Sequence, residues 1–260
     1  MKLLNAKYGD RRELKALREK FESSGYVYLE SLLNSEVFAS CFREVMDLKR
    51  VAVKRSFIMP GIRTIRRLHT VGGVSIQKNA PQARALYDHS EMLNFLRQVT
   101  GGSIFKCRHK EELIVANYLL EPGATHGWHL DDPDFALIIS FEAPPVNSGG
   151  QLEFIPRWRE LEKERKQGQT INQLIAMAGS RRLIEREHHQ AGDAYLLYAS
   201  QILHRVSPLT RADCRRSVIN LAYQRHRTTS YGETASLLYG SEMQTDLRSR
   251  KRPNGWRLRV

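Results

Sequence analysis

Three side chains carry the clearest chemical signal in this 260-residue chain. His129 and Asp131 sit two positions apart in the run Thr125-His126-Gly127-Trp128-His129-Leu130-Asp131-Asp132, and His204 lies far downstream. Side chains alternate across a strand, so His129 and Asp131 face the same side and can grip one ion together. His204, at the end of the apolar run Tyr195 to Leu203 and followed by Arg205-Val206-Ser207-Pro208, supplies a third ligand. Two imidazoles and one carboxylate in a facial arrangement leave coordination positions open, as an iron(II) site that must also admit 2-oxoglutarate and dioxygen requires. A closed four-ligand structural site would leave none. An isolated His-x-Asp is a common accident in a chain with nine histidines. The surrounding pattern lifts it above accident: Gly149-Gly150-Gln151-Leu152-Glu153-Phe154 lies between the two ligand segments, and Arg215-Arg216-Ser217 follows the second.

A basic residue on the strand after His204 can pair bidentately with the distal carboxylate of 2-oxoglutarate. Arg215 and Arg216 compete for that role. Strand parity puts Arg216 and Asn220 on one face and Ser217, Ile219, Leu221 and Tyr223 on the other. The apolar face must pack on helices, so Arg216 and Asn220 are expected to line the cavity. Arg215 takes the role if the register slips by one residue.

With these residues in view, the segments His126 to Asp132, Gly149 to Phe154, His204 to Pro208 and Arg215 to Tyr223 resemble the iron and 2-oxoglutarate oxygenase superfamily, over about the C-terminal half of the chain. The resemblance implies a double-stranded β-helix core. Within the superfamily, Thr125 to His129 is similar to bacterial enzymes that halogenate or hydroxylate free amino acids such as lysine. The halogenases of that group have a small residue where this chain has Asp131, so the resemblance implies hydroxylation. It also implies a substrate pocket of His126, Asp132, Glu112 and Arg66 (or its neighbour Arg67). Such a set suits a zwitterion with a cationic side chain, the carboxylates meeting ammonium groups and the guanidinium meeting the carboxylate. Each has a plainer reading: Glu112 and Arg66 as surface charges, Asp132 as a cap on the loop at Pro133, His126 as a hydrogen-bonded core residue.

The elements that must position these groups follow from periodicity. Asp10 caps a helix carrying Leu14, Leu17 and Phe21 that stops near Gly25, and Tyr26 to Leu29 reads as a strand. Ser35 caps a second helix with Val37, Phe38, Cys41, Phe42, Val45 and Met46 on one face. A basic, turn-rich stretch runs from Pro60 to Gly73, and helices over Pro81 to Tyr87 and Ser90 to Val99 end at Gly101 and Gly102. Strands then follow near Leu113 to Leu120, Gly127 to Leu130, Ala136 to Glu142, Gln151 to Ile155, Ala194 to Tyr198 and Ser217 to Tyr223. A helical insertion over Trp158 to Ala178 interrupts them. Helices first and short strands after predict an α+β protein, a jelly-roll, cupin-like core buttressed by N-terminal helices. The expected organisation is a single domain over 1–260: mainly helical support over 1–102, the core over 103–230 and a tail or lid over 231–260, with Ser249 to Val260 basic and weakly patterned.

Composition narrows the partners. Hydrophobic residues are 41% and charged residues 27% of the chain, enough for a substantial core. Apolar runs fall short of the roughly twenty residues of a membrane span, and the N-terminus lacks a secretory pattern. Cys41, Cys107 and Cys214, odd in number and scattered, fit reduced structural thiols, so the expected location is cytoplasmic. The net charge of +13 raises nucleic acid as a partner. The basic segments, however, do not interleave with aromatics as a base-stacking platform would. The partner the resemblance implies, a small-molecule amino acid, is therefore preferred, with an oxygenase of the same fold acting on a nucleic acid or basic protein, or a non-catalytic cupin-like binding module, as alternatives.

Overall fold

Asp10 closes the first helix end as its position demands. Its carboxylate accepts the N–H groups of Arg12 and Glu13 at the head of α1 (Arg11–Ser24), and Gly25 ends the helix at φ 67°. This computed structural model describes residues 2–232 and 234–239. Strand β1 (Tyr26–Leu29) follows, then α2 (Ser35–Asp47), whose cap is Asn34 rather than the expected Ser35; the Asn34 side chain accepts from the Glu36 N–H. Next come β2 (Val53–Ile58), β3 (Ile65–Val71) and the helices α3 (Gly73–Asn79), α4 (Pro81–Asp88) and α5 (Ser90–Thr100). The strand-rich part holds β4 (Phe105–Lys106), β5 (Ile114–Leu119), β6 (Thr125–His129), β7 (Phe135–Glu142) and β8 (Leu152–Ile155). Helices α6 (Trp158–Lys163) and α7 (Ile171–Ser180) intervene before β9 (Glu185–Glu187), β10 (Ala194–Leu197), β11 (Leu203–Val206), β12 (Arg216–Gln224) and α8 (Thr234–Tyr239).

All strand pairs are antiparallel, in the order β1-β10-β7-β12-β5-β3-β6-β11-β8-β9, with β2 on β3 and β4 on β12. The path curls into two facing sheets, and β3 belongs to both. Its residues His69 to Val71 pair with Tyr118 to Ala116 of β5, while Arg66 and Arg67 pair with His126 and Thr125 of β6. The result is a double-stranded β-helix. The helical layer packs on its outer face: Leu17, Phe21, Val45, Leu86 and Leu96 meet Ile114, Leu137, Ile139, Leu196, Ile219 and Leu221 in one buried cluster. At roughly 25 cal/mol per Å² of apolar surface, that contact is the main favourable term.

Several expectations are corrected. The stretch Pro60 to Gly73 is mostly the second arm of the β2–β3 hairpin, because Arg66 and Arg67 stand in the strand and hide its pattern. The run Tyr195 to Leu203 is two strands, broken by a turn in which Gln201 and Ile202 both donate to the Tyr198 carbonyl. The helical insertion splits at 164–170, where Gly168 takes φ 79° and Thr170 opens α7 with a capping box to Gln173. Strands β4 and β9 and helix α3 carried no signal. Residues Ser249 to Val260 of the expected tail lie outside the described residues.

A local irregularity in β6 sets which side chains reach one face. His204 pairs with His129 and Val206 with His126, so β6 has one extra residue against β11. Such a bulge turns side chains that parity would separate onto one face. Gly127 sits within it, and a Cβ there would meet the Ile65 carbonyl oxygen at 2.6 Å. Gly127→Ala should therefore cost roughly 1–3 kcal/mol, read as a fall of several degrees in Tm. An unchanged melting curve would show that β3 and β6 are not held this closely.

Candidate metal centre and substrate cavity

His129 ends β6, His204 lies opposite it on β11, and Asp131 follows in the loop fixed by its own N–H on the Ala199 carbonyl. The three donor atoms lie within 4.8 Å of one another. His129 Nδ1 is 2.8 Å from the Gly127 carbonyl and His204 Nδ1 is 2.9 Å from the Ile202 carbonyl. A carbonyl only accepts, so each Nδ1 carries the proton and each Nε2 is left with a bare lone pair. Both lone pairs face the same oxygen, Asp131 Oδ1, at 3.3 Å from His129 and 3.8 Å from His204. Burial, and then the neighbouring His129, push the His204 imidazole down to about 4, so it is neutral at physiological pH. Burial raises the Asp131 carboxyl, but its contact with His129 and the charges of His204, His129 and Arg66 together hold it below its ordinary value. Three electron-rich atoms pointed at one another fit a divalent cation and little else. The set also retains open coordination positions.

The cavity beside this cluster, a void of about 750 Å³ including its opening, is lined from both sheets. Arg216, Val218, Asn220 and Ala222 of β12 face into it, as parity requires. Arg216 is buried, whereas Arg215 is exposed and donates to the carbonyls of Ala212 and Cys214. The expected alternative of Arg215 as the anion-binding residue is therefore corrected: it points out of the cavity. His126 lines the cavity, its ring 4.1 Å from that of His129, and its Nε2 has no partner among the described residues. Burial, then the charges of His129 and Arg66, hold it well below the usual imidazole range.

Glu112 and Asp132 also line the cavity. Neither is a plain surface charge. Glu112 is buried, with Oε2 unpartnered, and burial followed by the Asp132 and Asp131 carboxylates pushes its carboxyl up to about 8. Asp132 is raised by burial against the pull of the Gly232 N–H, which it accepts at 2.8 Å, so its carboxylate holds Gly232 rather than capping the loop at Pro133. Arg66 is fully buried on β3, donating to the Gly127 carbonyl and Thr64 hydroxyl while Nε and Nη2 stay unpartnered. It stands behind the cavity lining, close enough to Asp131 to feel its charge. Arg67 is exposed.

Further lining residues escaped the sequence, Asn117, Tyr195, Leu238 and Tyr239 among them. Asn117 could have been found, since it is a polar residue at the inward parity of the otherwise apolar strand Ile114–Leu119; it accepts from the Thr70 hydroxyl. Tyr195 was hidden inside an apolar run. Leu238 and Tyr239 come from α8, which no periodicity announced; it docks through Arg55 Nε on the Leu238 carbonyl and Tyr239 on Thr70.

Solved structures share this architecture. The epimerase SnoN in complex with Fe3+, alpha ketoglutarate and nogalamycin RO is similar over 91% of this chain and 93% of its own, with TM-score 0.63 and 17% identity. AviO1 from Streptomyces viridochromogenes Tue57 matches over 84% and 97%, with TM-score 0.60 and 16% identity. A Pseudomonas putida prolyl-4-hydroxylase matches over 82% and 99%, with TM-score 0.54 and 14% identity. At these identities the shared property is the double-stranded β-helix fold. No curated protein matches the chain in sequence. The family model Halogenase D matches residues 9–238, and the chain belongs to that family.

The Glu112 carboxyl gives a stability test on metal-free protein. Its native value of about 8 lies above the ordinary 4.5, so below 4.5 both states hold the proton and nothing is lost. Between 4.5 and 8 the unfolded chain ionises first, and stability falls as pH rises, levelling off above 8. Glu112→Gln removes that loss. The variant should melt at the same temperature as the parent near pH 4.5 and be more stable by roughly 1–3 kcal/mol at about pH 9. Equal melting at both pH values would place the carboxyl in contact with water.

Proposed function

We propose that the chain is an iron(II) and 2-oxoglutarate-dependent dioxygenase that hydroxylates a free amino acid, a basic one such as lysine. The observation that carries this reading is the pair of bare Nε2 atoms facing Asp131 Oδ1 beside a cavity with a buried guanidinium in its wall. His129, Asp131 and His204 would hold iron(II). With 2-oxoglutarate and dioxygen, the bound metal supplies the oxidising power that replaces C–H by C–OH, 2-oxoglutarate leaving as succinate and carbon dioxide.

The chain's own residues do the placing. Arg216 offers its fork to the distal carboxylate of 2-oxoglutarate. Glu112 and Asp132 form an acidic region that a substrate ammonium neutralises, and ionisation of the Glu112 carboxyl then gains a partner it otherwise lacks. His126 offers its unpartnered Nε2 to the substrate, Arg66 adds its positive charge from behind the cavity lining toward a substrate carboxylate, and Asn220 leaves its Oδ1 for an N–H. Placement sets which carbon is attacked. The same acidic region argues against a polyanion despite the chain's net charge of +13: a phosphate backbone would meet Glu112 and Asp132 beside the metal. Among the described residues no helix is long and apolar enough to cross a membrane.

Hydroxylation is favoured over the halogenation in the family's name because Asp131 brings a carboxylate to the position a halide would need. The test is a mass-spectrometric screen of amino acids with iron(II), ascorbate, 2-oxoglutarate and chloride. A gain of one oxygen on lysine, arginine or ornithine is expected, with succinate formed in step; a chlorinated main product would overturn the assignment. His204→Ala should abolish turnover, whereas Arg216→Ala should chiefly raise the KM for 2-oxoglutarate. Full turnover by His204→Ala would remove that imidazole from the metal.

A further inference from the structure

Two of the three metal-ligating residues lean on one turn between β10 and β11. The Ala199 carbonyl accepts the Asp131 N–H at 3.1 Å, and the Ile202 carbonyl takes the His204 Nδ1 proton at 2.9 Å. His204 is also fixed by β11, which pairs with β6 and β8. Asp131 has no strand around it, because β6 ends at His129 and β7 begins at Phe135. The direction of its carboxylate follows the Ala199 carbonyl.

The turn is held as two peptide planes, each gripped at both ends. A trans peptide points its C=O and N–H in opposite directions, so fixing both fixes the plane. In the Ala199–Ser200 plane the C=O meets Asp131 and the N–H donates to the Asp134 carbonyl at 3.3 Å, while the Ser200 hydroxyl adds a bond of 3.1 Å to Asp134 Oδ1. In the Ser200–Gln201 plane the N–H donates to the Tyr198 carbonyl at 3.0 Å, and the C=O accepts Arg159 Nη2 at 2.6 Å. Of these partners, Arg159 alone lies outside the turn and the ligand loop. It stands on α6, behind the metal cavity rather than in its wall. Trp158 and Leu161 seat that helix in the apolar cluster that also buries Trp128 and Leu203, the residues just before His129 and His204, and Glu162 takes Arg159 Nη1 at 2.7 Å.

The guanidinium is therefore aimed before any ion arrives. We propose that Arg159 is a positioning residue for the metal centre: its bond to the Ser200 carbonyl stops the turn from tilting and so holds Asp131 where a cation shared with His129 and His204 needs it. This rests on the three-residue metal site described above. The helical insertion then has a task of its own, to brace the ligand that strand pairing leaves loose. Charge alone would act with the opposite sign. A positive group behind the site repels a bound cation, so deleting it would tighten metal binding if Coulomb repulsion were its whole influence.

The test is zinc(II) titration against a chromophoric chelator, at a temperature where circular dichroism shows each metal-free variant folded. Arg159→Ala should bind zinc(II) roughly tenfold more weakly than the parent, whereas Arg157→Ala, at an exposed neighbour, should not weaken it. Ser200→Ala, which keeps the backbone and loses the bond to Asp134, should weaken binding in the same direction as Arg159→Ala. In an Asp131→Ala background, which leaves zinc(II) its two imidazoles, Arg159→Ala should cost nothing further, since the coupling runs through that carboxylate. Binding by Arg159→Ala that matches or exceeds the parent's, or the same loss with and without Asp131, would reduce Arg159 to a surface contact and overturn the proposal alone. A folded parent that binds no zinc(II) would instead remove the metal site beneath it.

Discussion

Across the antiparallel pair β6–β11, His129 stands directly opposite His204, with ring centroids 4.2 Å apart. Everything about the site depends on that register. Because side chains alternate with a period of two, a slip of one residue would send one imidazole to the outer face and leave Asp131 with a single partner. The register is held from both flanks. On one side β11 pairs with β8 from Leu203 to Val206, where Glu153 is buried between Arg186 and Arg205. On the other, β6 pairs with β3 at Arg66 and Arg67, and the Arg66 guanidinium ties back to the Gly127 carbonyl. The bulge sits between these anchors, where β3 passes too close to Gly127 for a side chain. One extra residue in β6 thus turns His126 onto the same face as His129 without moving the pair that holds Asp131.

Charge within the cavity is divided in the same spirit. Asp131 and Asp132 supply negative groups, Glu112 a carboxyl that burial keeps protonated until a positive group meets it, and Arg216 a buried positive group with Tyr195 beside it. A ligand carrying a carboxylate and one carrying ammonium groups would be drawn to different parts of one space, which would order two small molecules without large surfaces. The acidic part is costly when empty, since burial first and then neighbouring carboxylates, Asp131 in both cases, raise Glu112 and Asp132. Proteins tolerate such cost at functional sites more readily than in structural cores.

How far this was legible from the chain depends on what each residue must satisfy. His129 and Arg216 are readable because strand parity alone decides their face, and the same parity sends Ile219, Leu221 and Tyr223 into the helical layer, whereas Asp131 lies past the end of β6 and is turned to the histidines by its N–H on the Ala199 carbonyl. The α+β class and the helices α1, α4 and α5 follow from apolar spacing and from Asp10, Pro81 and Gly101 at their ends. The β2–β3 hairpin was not readable, since its strands carry arginines whose burial is set by the partner strand rather than by local sequence. The bulge was equally hidden: nothing in Thr125-His126-Gly127 announces that the facing strand is one residue short. Tyr239 reaches the cavity only because a six-residue helix docks on Arg55 and Thr70, distant in sequence.

The protonation pattern decides between a metal-loaded site and a binding module that merely shares the fold. In a module without metal, the Gly127 and Ile202 carbonyls would have no reason to claim both Nδ1 protons, because doing so leaves two Nε2 lone pairs aimed at a carboxylate. Moving the proton of either ring to Nε2 would give that carboxylate an N–H to accept and remove the repulsion. The fold instead fixes each histidine through a carbonyl two residues upstream in its own chain segment, an arrangement that spends a hydrogen bond to hold open a place for positive charge. Buried polar groups left facing one another are retained only where something else completes them. A cation held by all three groups would do so, and would account at once for the orientation of both imidazoles and for the placing of Asp131 Oδ1 before both Nε2 atoms.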